Sequence, residues 1–103
     1  MNQFGLNDNQ LKFIERIFRK HLGEKQFRIW IFGSRATGKY QKYSDVDLLI
    51  ECSDLSSVLI SRIRGDFEES NFPYKTDVVN ANDLAPDYEQ GIEEDKKLLF
   101  ENV

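Results

Sequence analysis

The sequence predicts an α/β (α+β) domain, a small β-sheet with helices packed on one face. Three observations lead there. Two helix-period segments lie on either side of short β-branched or aromatic runs. Val46-Asp47-Leu48-Leu49-Ile50 alternates its charge against an apolar face. The 103 residues are 40% hydrophobic and 13% aromatic, enough for one packed core and hence a single domain over 1–103.

The elements follow in order. Leu11, Ile14, Phe18 and Leu22 repeat at helical spacing over about 8–22, with Asn7 or Asp8 as cap and Gly23 as stop. Residues ~27–32 form a first strand, and Ile29-Trp30-Ile31-Phe32 runs straight into Gly33-Ser34. Residues ~45–52 form a second strand. Val46, Leu48 and Ile50 face helices, and the aspartate face stays open. Ser53 or Asp54 caps a helix to about Ser70 that buries Leu55, Leu59, Ile63 and Phe67, and Gly65 weakens its later turns. Pro73 blocks continuation, and Lys75-Thr76-Asp77-Val78-Val79 reads as a third strand. A short acidic helix follows Pro86, and Lys97-Leu98-Leu99-Phe100 is either an edge strand or a last helical turn.

The chemistry concentrates in Gly33-Ser34-Arg35-Ala36-Thr37-Gly38 and Ser44-Asp45-Val46-Asp47-Leu48. Asp45 and Asp47 share a strand face, ~6–7 Å apart along it. Two like charges that close repel unless a cation lies between them. Carboxylates beside a turn rich in N–H groups suit Mg²⁺ held against nucleotide phosphates. Gly33 allows close backbone approach and Ser34 adds a hydroxyl. Taken singly, the turn is an ordinary Gly-Ser turn and the aspartates cap a strand. Asp77 is a third carboxylate. It either completes the site, reaching a second metal or activating an attacking hydroxyl, or is an edge-strand charge that deters aggregation. Arg35, Lys39 and Lys42, interleaved with Tyr40 and Tyr43, form either a phosphate rim or a solvated loop.

The composite Gly33-Ser34, Ser44-Asp45-Val46-Asp47-Leu48 and Asp77 resembles the DNA polymerase β-type nucleotidyltransferase superfamily. The short form GSRATG…SDVDLLIE resembles its minimal members, the MNT proteins. The resemblance spans residues ~27–80. It implies a mixed, palm-like nucleotidyltransferase core, ATP or another NTP as donor, and two Mg²⁺. It places Ser34 on the phosphates; Gly33, Arg35 and Ser44 are further nucleotide-binding candidates from the turn and the residues before the aspartates. Asp45 and Asp47 fall on both metals, and Asp77 is the third carboxylate. It further implies a HEPN partner, a helical protein that is often an RNase toxin. The MNT member is then the antitoxin and can transfer AMP to a partner tyrosine.

Composition narrows the alternatives. A net charge of −4 disfavours direct nucleic-acid binding. No signal-peptide pattern or ~20-residue apolar run is present, so a cytoplasmic protein away from membranes is expected. Lone Cys52 forms no internal disulfide and should pack as a small hydrophobe. His21 suits a helix C-terminus and has no evident catalytic partner. Three functions remain: an adenylyltransferase acting on a protein, a nucleotide-binding partner module without significant catalysis, and a stand-alone small-molecule (aminoglycoside-type) nucleotidyltransferase. The intact set of aspartates disfavours the second, and the absence of an acceptor domain disfavours the third.

Overall fold

The computed structural model describes residues 3–103. Helix α1 (Asp8–Leu22) leads to strand β1 (Phe27–Phe32), the single helical turn α2 (Ser34–Thr37) and strand β2 (Val46–Glu51). Helix α3 (Ser57–Glu68), strand β3 (Thr76–Asn80), a 3₁₀ turn (Ala81–Asp83), helix α4 (Pro86–Asp95) and strand β4 (Lys97–Asn102) follow. The four strands make one mixed sheet in the order β3-β2-β1-β4. β1 is antiparallel to both β2 and β4, whereas β2 and β3 run parallel. Lys97–Asn102 is thus an edge strand, resolving the alternative left open by its sequence.

Local chemistry accounts for the boundaries. Asn7 caps α1 through a reciprocal box: its Oδ1 accepts from Gln10 N at 2.8 Å, and Gln10 Oε1 accepts from Asn7 N at 2.9 Å. Gly23, at φ +57°, closes the other end and donates its N–H to Arg19 O. The start of α3 departs from expectation. Ser56, not Ser53 or Asp54, is the cap, accepting from Leu59 N at 3.2 Å. Asp54 is drawn elsewhere, its Oδ2 2.9 Å from Lys25 Nζ. The helix runs through Gly65 and stops at Glu68, and Ser70 Oγ donates to Phe67 O at 2.7 Å just beyond it.

The core lies between the sheet and helices α1 and α3. Phe27, Ile29 and Ile31 of β1, Val46, Leu48 and Ile50 of β2 and Val78 of β3 meet Ile14, Phe18, Leu22, Ile60, Ile63 and Phe67. Cys52 is buried with them. Leu55, by contrast, only packs at the edge of this cluster. Each full burial contributes roughly 1.5–3 kcal/mol. An aromatic seam runs through the core: Phe13 stacks on Phe72 at 5.6 Å, and both meet the Phe67 ring edge-on. His21 Nε2 lies 2.7 Å from Asp66 Oδ2, with Lys20 Nζ at 3.1 Å, pinning α1 to α3. The His21 hydrogen bond, then that of Lys20, holds the Asp66 carboxyl below the usual range. No described helix is long and apolar enough to cross a membrane.

The aspartate face is only partly open. Leu49 alternates onto it from β2 yet is just 2% exposed. Trp30, its cross-strand partner, lies beneath Lys96, whose Nζ is 4.1 Å from the indole centroid. Helix α4 buries none of its residues.

Candidate active site

β-Sheet register builds the site. Asp47 pairs with Phe32 across the β1/β2 ladder and with Asp77 across the β2/β3 ladder. The parallel ladder therefore sets two carboxylates side by side on one face. Asp45, two residues earlier, sits just before β2 on the same side. Asp45 and Asp77 are exposed, and Asp47 is half-buried.

Gly33 is required by this arrangement. Its φ is +73° and its ψ −156°, a combination open essentially only to glycine. A Cβ there would also collide with Asp47 Oδ2. The glycine following Phe32 thus makes room for the carboxylate opposite. Its missing side chain serves Asp47, whereas the sequence suggested only close approach of a ligand.

The electrostatics are those of like charges held together. Burial first, then the charges of Asp77 and Asp45, push the Asp47 carboxyl up to about 6, and Arg35 partly offsets them. Among the described residues no three His, Cys, Asp or Glu side chains close into a preformed metal cage. The donor set is hard oxygen, and its mutual repulsion calls for a cation.

Ser34 opens α2 directly after Gly33 and is half-buried, its carbonyl accepting from Lys39 N at 3.0 Å. Ser44 is a turn residue. Its Oγ accepts from Gln41 N at 2.8 Å, and its carbonyl accepts from Arg35 Nε and Nη2 at 3.1 and 2.9 Å.

Arg35 is not at the rim the sequence suggested. It is 1% exposed, and its Nη1 donates to Phe4 O at 2.9 Å. Its guanidinium carbon lies 5.2 Å from the Tyr40 ring centroid and 4.2 Å from that of Tyr74. Ala36, the next residue of this single turn, is buried with it. Tyr74 and the Phe4–Gly5 segment were missed in the sequence because nothing in their spacing marks them. Tyr40 was visible as an aromatic among the basic residues. Lys39 and Lys42 are exposed, and Lys42 Nζ rests 5.4 Å from the Tyr43 ring. A concavity of about 430 Å³, lined in part by Arg28, Glu51 and Cys52, lies at the opposite end of β2 from Asp47.

Known proteins resemble this chain in sequence and in fold. The chain is 28% identical over 89 residues to the Haemophilus influenzae protein named "Probable protein adenylyltransferase MntA", covering 85% of this chain and 76% of that one. In fold it is similar to a chain in the crystal structure of a toxin–antitoxin with AMP-PNP. There the TM-score is 0.72 and the identity 23%, over 92% of this chain and 73% of that one. A further similar fold occurs in tri-AMPylated Shewanella oneidensis HEPN toxin in complex with MNT antitoxin, with a TM-score of 0.69 and 18% identity over 92% and 72% of the two chains. The model of the family described as Polymerase beta, Nucleotidyltransferase matches residues 6–103. With the aspartates in register and Gly33 cut to fit them, the chain belongs to the polymerase beta nucleotidyltransferase family.

Proposed function

We propose that this protein transfers AMP from ATP to a side-chain hydroxyl of a separate HEPN-type protein and is the antitoxin of that pair. One observation carries the reading: the register that sets Asp47 beside Asp77 and over Gly33, with Asp45 two residues away. The resemblance to a named adenylyltransferase and to chains found with a HEPN toxin supports the choice of donor and acceptor.

Ser34 and the N–H groups of its turn hold the β- and γ-phosphates. Asp45 and Asp47 would hold both Mg²⁺ ions, and Asp77 the second. When bound, these ions offset the charge that develops on the transferred phosphoryl group. Asp77 is exposed on the edge strand β3, where an acceptor could reach it. The acceptor oxygen, for which a tyrosine is the natural candidate, attacks the α-phosphorus. The bond to pyrophosphate breaks, and the acceptor proton passes to Asp77. The acidic balance of the chain, −4, favours a protein acceptor over a nucleic acid.

The test is co-expression with a HEPN-type partner, incubation with ATP and Mg²⁺, and intact-mass analysis. The partner should gain whole adenylyl groups. Asp77→Asn should abolish the gain while the complex still co-purifies. A partner that binds but is never modified would refute catalysis. Transfer to a small molecule in the absence of any partner would refute the acceptor.

A further inference from the structure

We propose that Arg35 is a positioning residue that clamps the loops presenting Asp45 and Asp77, and that it does not contact nucleotide. This rests on the reading of the aspartates as a metal-dependent nucleotidyl-transfer site.

The cost of its position makes Arg35 conspicuous. A permanently charged guanidinium 1% exposed is expensive unless every donor is used. Its hydrogen-bond acceptors are main-chain carbonyls: Ser44 O twice, Phe4 O at 2.9 Å and Gly5 O at 3.4 Å. Ser44 is the residue before Asp45. The Tyr74 ring, 4.2 Å away, lies two residues before β3 begins and three before Asp77. Tyr40, on the intervening loop, packs where a Cβ of Gly5 would be, and Gly5 adopts φ +71° to permit it. One side chain thus ties the N-terminal segment, the loop into β2 and the lead into β3 to the turn that bears Ser34. Val46 N, donating to Lys75 O at 2.8 Å, closes the same junction from the strand side. Lysine could not replace it. A single ammonium cannot grip Ser44 O with two donors, reach Phe4 O with a third and present a flat face to two rings.

The experiment uses the whole chain with Mn²⁺ and a non-hydrolysable ATP analogue as probes, and hydrogen exchange of residues 38–46. Arg35→Lys and Tyr74→Leu should each weaken Mn²⁺ affinity by about 10–100-fold, the usual effect of losing a group that orients ligands. Affinity for the analogue in EDTA should stay within about threefold of wild type, because one lost charge-assisted phosphate contact would already exceed that. Amides 38–46 should exchange faster, and Tyr74→Phe, which keeps the ring, should keep Mn²⁺ affinity and exchange at wild-type values. An equal fall in metal-free analogue affinity would show that Arg35 grips phosphate and overturn the proposal. Unchanged Mn²⁺ affinity and exchange would reduce Arg35 to packing and also overturn it. If Arg35→Lys fails to fold, Tyr74→Leu decides. If wild type binds no Mn²⁺, the nucleotidyl-transfer reading fails, and exchange alone judges the clamp.

Discussion

Asp47 shows how a single residue can work against its own fold. Its carboxyl is pushed from the ordinary carboxylate range up to about 6 by burial and by the charges of Asp77 and Asp45. A carboxylate raised in the folded state favours folding while protonated. That contribution is full below about pH 4 and is lost as the pH rises through about 6. At neutral pH the ionised group therefore costs on the order of 1–2 kcal/mol, once solvent screening of a half-buried carboxylate is allowed for. Asp47→Asn, melted in EDTA at pH 7, should be more stable than wild type, with the difference vanishing near pH 4. The same variant should lose at least ~10³ in Mg²⁺-dependent transfer. Gly33→Ala should do the opposite, losing about 1–3 kcal/mol from backbone strain alone, before the clash with Asp47 is added. A denaturant titration checks this. Ser34→Ala should weaken binding of a non-hydrolysable ATP analogue about tenfold in calorimetry. The shared face of Asp45 and Asp47 and the turn at Gly33-Ser34 were legible because two-residue alternation and a Gly-Ser turn are local; the pairing that brings Asp77 beside them was not. The inward path of Arg35 was not, because its partners Phe4, Gly5 and Tyr74 are 30 or more positions away.

At the level of elements, helix ends were harder to read than helix faces. The spacing of Ile14, Phe18 and Leu22 sets the buried side of α1 wherever the helix begins. The start of α3 depends instead on which of several serines and aspartates is free to cap. Cys52-Ser53-Asp54-Leu55-Ser56 offers three candidates, and the Lys25 ion pair removes Asp54 from the choice. In a urea titration Ser56→Ala should cost about 1 kcal/mol, and Ser53→Ala should be near neutral. Equal effects at the two positions would move the cap. Strand pairing was similarly invisible from local pattern. Nothing near Lys97 announces that it joins β1 rather than β3, and the acidic α4 buries none of its residues fully.

Across the whole molecule, stability rests on one aromatic-rich core shared by both long helices and the sheet. Phe67 touches Phe13, Phe18 and Phe72. Phe67→Ala should therefore cost about 3–5 kcal/mol, a large part of the roughly 5–15 kcal/mol that holds a domain of this size. A fall in midpoint with an unchanged denaturant slope would confirm a packing loss. That an α/β domain with one helical layer would form was legible from composition and period. Strand order and the parallel sense of β2 and β3 came from the structure, not from spacing. The parallel pair also has a consequence in time. Asp47 lies on, and Asp45 just before, a strand whose antiparallel partner, β1, precedes it in the chain. Asp77 arrives only after α3 has carried the chain back across, since parallel neighbours need such a crossover. A chain still being synthesised can thus hold its glycine turn and first two acids without its third. The three carboxylates come together only when β3 has docked, so on the proposed role of Asp77 transfer waits until residues 76–80 have been made.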